Sequence, residues 1–230
     1  MTYFCSMNFC KIHQLGVESY VKVWELQKKL FAENILSKEN KQPTQNHLII
    51  VEHPHVYTFG KYGKQQNLLV SKDWLKQRGA EVYNIERGGD ITYHGPGQVV
   101  VYPIFDLETM NLGLKAYIQM LERSIIELLA EYGIKSEILP GKIGVWIDVG
   151  GSNERKIAAI GVKSSRFITM HGWALNVSPD LSMFNHIVPC GIMDKGVSSI
   201  SNELNEKIDI SIVKSKLTEI LKVNFALNFI

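Results

Sequence analysis

The sequence predicts an α+β (mixed α/β) protein built around one hydrophobic core. Short β-branched or aromatic runs are bracketed by segments in which apolar residues recur at helical spacing. A chain of 230 residues with 45% hydrophobic residues is long enough to bury such a core. No internal repeat, low-complexity tract or linker interrupts the order, so we expect a single domain over residues 1–230.

In the first half of the chain, an amphipathic helix is predicted over residues 17–36, where apolar side chains follow a three- and four-residue spacing. A shorter helix is predicted over 71–79, with Ser71 as its N-cap and Gly79 as its C-terminal stop. Strands are predicted over residues 46–53, 56–60, 80–86 and 98–105. The last of these is an almost unbroken apolar run, which is typical of a strand buried on both faces.

In the second half, residues 114–134 form the clearest helical pattern, and Gly133 stands at its end. A hairpin turn is predicted at 150–154, a short helix capped by Asp180 at 180–187, and a final helix at 210–223. Strands are predicted over residues 135–139, 144–149, 156–162 and 166–177.

A glycine-rich segment, ERGGDITYHGPGQ at residues 86–98, joins two predicted core strands. Glycines alone are typical of a tight structural loop, but they also permit positive φ and let a ligand lie against the backbone. The segment matches neither GxGxxG nor a P-loop. Because Arg87, Tyr93 and His94 lie among the glycines, the segment favours a binding role over a mere turn.

The composition excludes several classes of protein. A net charge of +2, from 25 basic and 23 acidic residues spread along the chain, disfavours nucleic acid as a partner. Three cysteines without a CxxC pair disfavour a disulfide framework and a thiolate zinc site. His53 and His55 lack an evident third ligand, so no metal is expected. Without a signal-peptide pattern or a membrane-length apolar stretch, we expect a cytoplasmic protein that does not enter a membrane.

Three residues outside the glycine segment could carry chemistry. Cys190 stands between Pro189 and Gly191, which could present its thiol at a bend, although a lone cysteine is more often an inert core thiol. A reactive thiolate needs a cationic neighbour, and Lys156, at the start of a strand, is a candidate. Arg155 could equally be the inward-facing cation, and His171, before Gly172 in a strand pattern, suits a core or a functional histidine.

Three ordered stretches resemble the motifs of the lipoyl(octanoyl) transferases: RGGDITYHGPGQVVVYPIFDL, KIAAIGVKSSRFITMHGWALNV and DLSMFNHIVPCGI. The resemblance implies the fold of biotin and lipoate protein ligases, with a mixed, mostly antiparallel sheet and flanking helices. It implies transfer of an octanoyl group, without a cofactor, from octanoyl-acyl carrier protein to a lysine of lipoyl domains. The implied acceptors are the lipoyl domains of 2-oxoacid dehydrogenases and the glycine cleavage H protein.

The resemblance also assigns residues. Cys190 would form an acyl thioester, and Lys156 would lower the pKa of its thiol. Either Lys156 or His94 would deprotonate the acceptor lysine. Residues assigned to the acyl site are Arg87, Gly88, Gly89, Asp90, Ile91, Thr92, Tyr93, His94, Ala159, Ile160, Gly161, Gly172, Trp173 and Ala174.

Two alternatives differ in what they require. An ATP-dependent lipoate ligase activates the free acid without a cysteine, and lipoate ligases carry HDxGN-like residues where HGPGQ stands here. A non-catalytic module with the same fold would bind an acyl chain without transferring it. The GRGRxGR-like loop of biotin ligases does not occur in the sequence.

Overall fold

A computed structural model describes residues 8–188 and 196–230. The α-helices in this part of the chain are α1 Tyr20–Glu39, α2 Lys72–Gln77, α3 Leu114–Glu131, α4 Ile200–Leu204 and α5 Ile210–Asn224. Single 3₁₀ segments cover Gln65–Asn67 and Leu181–His186. The predicted caps are confirmed, since Ser71 Oγ accepts a hydrogen bond from the Trp74 amide and Asp180 accepts one from the Ser182 amide.

The strands of the larger sheet are β1 Asn8–Val17, β2 Asn46–Glu52, β6 Gln98–Ile104, β7 Glu137–Leu139, β8 Lys142–Ile147, β9 Arg155–Ser165, β10 Ile168–Asn176, β11 Gly196–Val197 and β12 Leu227–Phe229. They run in the order β12-β1-β2-β6-β10-β9-β8-β7, with β11 beside β9. Pairings from β2 to β7 are antiparallel, while β1 pairs in parallel with β2 and β12. The predicted mixed, mostly antiparallel sheet is confirmed.

Helices cover both faces of the larger sheet. Tyr117 and Leu121 of α3 and Leu217 of α5 pack on one face together with Val99 and Val101 of β6. Val23 and Leu30 of α1 pack on the other face with Val100 and Tyr102, the alternate residues of the same strand. Every residue of β6 is therefore buried, which accounts for its continuous apolar run.

A smaller sheet, β4-β3-β5, is formed by β3 Val56–Phe59, β4 Glu81–Asn84 and β5 Ile91–His94. Its core joins Tyr57, Phe59 and Tyr93 with Leu75 of α2 and Phe184 of the second 3₁₀ segment. The strand β5 lies inside the glycine-rich segment and was not predicted. That segment therefore carries the chain from one sheet to the other.

Three more strands were not predicted: β1, β12 and the two-residue strand β11, which pairs with β9. The residues of β1 show no clear apolar pattern, and the strand extends to Val17, which pairs with Glu52. The first helix for this reason begins at Tyr20 rather than at residue 17. β12 is three residues long and is fixed by parallel pairing with β1 at the opposite end of the chain. Among the described residues, no helix combines the length and the apolar character that crossing a membrane requires.

Candidate active site

A cavity of about 470 Å³ lies where the glycine-rich segment crosses β9 and β10. Its volume is within the range of small-molecule pockets. The floor consists largely of β9 and β10 residues, and α3 contributes Leu114 and Ile118. Two strands that run side by side thus bring distant motifs of the sequence to one site.

Most of the predicted acyl-site residues line this cavity. They are Arg87, Gly88, Gly89, Ile91, Thr92, His94, Ala159, Ile160, Gly161, Gly172, Trp173 and Ala174, and Lys156 joins them. Asp90 and Tyr93 do not, although the resemblance placed them in the acyl site. Asp90 accepts hydrogen bonds from Asn67 and from the Lys64 and Ile91 amides. Tyr93 packs in the core of the smaller sheet and bonds His55.

Two glycines bring the cavity walls together. Gly161 of β9 stands directly opposite Gly172 of β10. A Cβ atom on Gly172 would lie 2.0 Å from the Val101 carbonyl oxygen, and one on Gly161 would lie 2.8 Å from the Gly88 carbonyl oxygen. The Gly88 amide donates to the Val162 carbonyl over 3.0 Å. The glycine-rich segment can rest on β9 only because side chains are missing there.

Gly161→Ala is expected to weaken binding of the acyl donor that the resemblance implies. KM should rise about tenfold, because the new Cβ would push residues 87–89 off β9. Steady-state kinetics measures the change. Gly16→Ala is the matched control, since a Cβ at Gly16 of β1 meets no atom within 4 Å. An unchanged KM for Gly161→Ala would contradict the close contact between this segment and the sheet.

Arg87 places a fixed positive charge at the cavity. Its side chain is buried, and Nη2 donates to the Thr58 carbonyl over 2.6 Å while Nε and Nη2 reach Thr58 Oγ1. Nη1 donates to the Gly88 carbonyl over 3.0 Å. The guanidinium is therefore held between the Thr58 carbonyl of β3 and the Gly88 carbonyl of the glycine-rich segment, which fix its orientation.

Two buried histidines also line the cavity. Burial, with His53 and Arg87 nearby, lowers the pKa of His94 to about 3, and its Nδ1 lies 3.3 Å from Gln98 Oε1. Burial and Arg87 likewise lower the pKa of His171 to about 3. The His171 backbone has φ +61°, and its amide donates to Gln27 Oε1. Both imidazoles are neutral at pH 7.

The charged groups of Lys156 and Arg155 have different interaction partners. The Lys156 ammonium donates to the Ile143 carbonyl over 3.3 Å and stands 4.6 Å from the centre of the Trp146 ring. Arg155 instead pairs with Glu203, with Nε 2.7 Å from Oε1. Of the two neighbouring cations, Lys156 is the one that lines the cavity.

Cys190 lies outside the described residues. On its N-terminal side, the Val188 amide donates to the Asn67 carbonyl over 2.8 Å. On its C-terminal side, Val197 of β11 pairs with Lys156 of β9. The described cysteine, Cys10, is buried in the main core, and burial raises the pKa of its thiol to about 12. Cys10 is thus a packing residue.

Several lining residues were not predicted from the sequence. They are Tyr20, Tyr62, Val100, Tyr102, Leu114, Ile118, Gly141, Lys142, Ile143, Val162 and His171, of which only His171 had been singled out as a candidate. Tyr20 comes from α1 and Leu114 from the first turn of α3. In the sequence, Tyr20 and Leu114 have the pattern of ordinary core or surface residues. Only the packing of these elements against β9 and β10 places them at the cavity.

Residues 19–222 match the family described as the lipoyl protein ligase A/B catalytic domain. The chain is 50% identical over 222 residues to the octanoyltransferase of Parabacteroides distasonis, covering 96% of this chain and 100% of that protein. It is 48% identical over 214 residues to the octanoyltransferase of Christiangramia forsetii, covering 90% and 92%.

Solved structures show the same fold. A lipoate-protein ligase A bound with ATP has a TM-score of 0.69 at 14% identity, covering 96% of this chain and 87% of that one. A biotin protein ligase from Aquifex aeolicus has a TM-score of 0.54 at 14% identity, covering 94% and 70%. The family match over residues 19–222 and these full-length relatives carry the same conclusion: the chain belongs to the lipoyl protein ligase A/B catalytic domain family.

Proposed function

We propose that this protein is an octanoyltransferase that moves an octanoyl group onto a lysine of lipoyl domains through a thioester of Cys190. The relatives that match nearly its whole length carry the name octanoyltransferase. The structural observation that carries the proposal is the cavity, because it combines an apolar lining with the ammonium of Lys156 at its edge. An acyl thioester is complementary to this cavity. Its aliphatic chain suits the apolar lining, and its reactive carbonyl would lie near the charged edge.

The lining suits an aliphatic chain. Ile118, Ile143, Ile160 and Trp173 offer apolar surface, and the glycines leave room beside them. Burying about seven aliphatic carbons at about 0.8 kcal/mol each gives roughly 5 to 6 kcal/mol before ordering costs. This binding energy would retain the acyl group on the enzyme while donor and acceptor proteins exchange.

In the first step, the Cys190 thiolate attacks the carbonyl carbon of the donor thioester. A new carbon–sulfur bond forms, the old one breaks, and the carrier sulfur leaves as a thiolate that takes a proton from solvent. An ordinary cysteine with a pKa near 8.5 is only about 3% thiolate at pH 7. The Lys156 ammonium, which lies at the cavity edge and on the strand paired with Val197, would raise that fraction by stabilising the negative sulfur.

In the second step, the acceptor amine attacks the enzyme thioester, an amide forms, and Cys190 is released. A lysine with a pKa near 10.4 is only about 0.04% neutral at pH 7, so a base must remove a proton first. His94 is a weak base, since burial lowers its pKa to about 3. We therefore assign the proton acceptor to Lys156. Once the thiolate has been consumed, Lys156 loses its own proton to solvent, takes one from the attacking amine, and as an ammonium again stabilises the departing Cys190 thiolate.

For partners, we propose octanoyl-acyl carrier protein as donor. The proposed acceptors are the lipoyl domains of 2-oxoacid dehydrogenases and the glycine cleavage H protein. A thioester donor is already activated, so the transfer to an amide needs no further energy source.

The test is to incubate the protein with octanoyl-acyl carrier protein and measure its intact mass. We expect one octanoyl adduct on the wild type, transferred to a lipoyl domain on its addition, and no adduct on Cys190→Ala. An adduct that persists in Cys190→Ala would exclude this nucleophile. Transfer from free octanoate that requires ATP would identify a ligase instead.

A further inference from the structure

Glu122 is a buried carboxylate that contacts β8, the same strand that holds the Lys156 ammonium at the cavity edge. Glu122 of α3 is only 4% exposed, and burial raises its pKa. Its Oε1 accepts a hydrogen bond of 3.0 Å from the Gly144 amide of β8. Burying a carboxylate is costly. An apolar side chain at this position would avoid that cost but could not accept a hydrogen bond from the Gly144 amide.

The group that Glu122 holds is an irregular point of β8. Gly144 has φ +120°, and a Cβ there would lie 2.6 Å from the Ala158 carbonyl oxygen. The pairing of β8 with β7 shifts register there: Ile138 pairs with Val145 but Leu139 pairs with Lys142, so Ile143 and Gly144 lie between the paired residues. A strand that changes register leaves an amide without its regular partner, and the Glu122 carboxylate supplies an acceptor there.

The same few residues of β8 hold Lys156. Its ammonium donates to the carbonyl of Ile143, immediately before Gly144, and faces the ring of Trp146, two residues after it. A Cβ on Gly144 would lie 3.5 Å from Lys156 Cε, so the side chain runs directly over this glycine. Any movement of the Gly144 peptide therefore displaces these two contacts of the ammonium.

We propose that Glu122 is a positioning residue for Lys156. By fixing the Gly144 amide, the carboxylate sets the place of the Ile143 carbonyl and the Trp146 ring, and through them the place of the ammonium. This inference rests on the proposed function, in which Lys156 faces the Cys190 thiol. Glu122 itself touches no reacting atom.

Three variants separate this role from a purely structural one. Glu122→Gln keeps an oxygen acceptor for the Gly144 amide, Glu122→Asp withdraws it by one methylene, and Glu122→Met fills the space without an acceptor. Ser124→Ala is the matched control, because Ser124 lies on the same helix as Glu122 but bonds the Met120 carbonyl of α3 and the Asn224 side chain of α5 instead of the described residues of β8. Each variant is assayed for transfer and for the pH dependence of Cys190 alkylation by iodoacetamide, followed on the Cys190 peptide by mass spectrometry.

For Glu122→Met we expect kcat to fall about 10- to 100-fold with KM nearly unchanged, since a displacement of about 1 Å costs that much in rate. The alkylation midpoint should rise by about one pH unit as the ammonium moves away from the sulfur. Glu122→Asp should change both quantities in the same direction by less. Glu122→Gln should keep kcat and the alkylation midpoint at the wild-type values. Ser124→Ala should lower stability but leave kcat and the midpoint unchanged.

A wild-type midpoint and kcat in Glu122→Met would overturn the proposal. If that variant does not fold, wild-type values in Glu122→Asp would overturn it equally. A Glu122→Gln protein as impaired as Glu122→Met would also overturn it, since the oxygen acceptor would then not be the reason. The alkylation profile needs no octanoyl donor, so it reports on Lys156 even if the wild type forms no octanoyl adduct, which would refute the proposed function alone.

Discussion

Replacing Lys156 by alanine is expected to slow octanoyl transfer about 100-fold or more. The variant lacks the ammonium proposed to stabilise the Cys190 thiolate and also the base proposed for the acceptor lysine. Loss of a general base alone costs about 10²-fold or more. Both half-reactions should slow. Rapid-quench measurement of adduct formation and of its transfer to a lipoyl domain resolves them.

Lys156→Arg separates the two roles. Arginine keeps the positive charge but does not deprotonate in proteins, so adduct formation should persist while transfer to the acceptor fails. Lys163→Ala is the matched control, because Lys163 lies on the same strand but its ammonium packs over the Phe31 ring of α1. Transfer at the wild-type rate in Lys156→Arg would show that another group takes the proton.

Mild acid is expected to destabilise the fold strongly. Burial lowers the pKa of His53 to about 4 and the pKa values of His94 and His171 to about 3. Since the unfolded chain binds protons near pH 6.5 and the folded protein does not, stability is fully present above pH 6.5 and falls as the pH drops toward these values. At pH 5 each histidine costs about 2 kcal/mol, a large share of a typical stability of about 5–15 kcal/mol.

Urea unfolding at several values between pH 7 and pH 5 measures this loss. His171→Asn should flatten the slope of the unfolding free energy against pH by at most about a quarter. Burial also lowers the pKa of His47 to about 4, so one of at least four protonation sites is removed. Asparagine also tolerates the φ of +61° at this position. A slope that is the same in wild type and His171→Asn, or a stability that does not change with pH, would contradict neutral burial of His171.

Local sequence patterns were sufficient for most of the core. The unbroken apolar run of residues 98–105 predicted a strand covered on both faces, and β6 is buried at every position. The caps at Ser71 and Asp180 followed from short-range hydrogen bonding, which depends only on neighbours in the chain. The three quoted motifs also placed twelve of the assigned residues, together with Lys156, around one cavity.

Other features depend on partners far along the chain. β1 and β12 form because the two ends of the described chain pair with each other, and no local pattern reports such pairing. The alternation of side chains along β5 turns Tyr93 into the core of the smaller sheet, while Thr58 of the adjacent strand holds Arg87. The Asp90 carboxylate accepts hydrogen bonds from the Asn67 side chain and the Lys64 amide. It therefore stabilises the glycine-rich segment and does not line the cavity.

The sequence by itself determined the fold class and the motifs for which a catalytic role is proposed, because apolar periodicity and glycine positions act over a few residues. It left open whether Lys156 or Arg155 turns inward, and the tertiary structure decided this through Glu203, which pairs with Arg155, and through the Ile143 carbonyl, which holds Lys156. It also left His94 as a possible base. Burial among His53, Arg87 and Tyr20 decided against that role, because a desolvated imidazole holds a proton poorly.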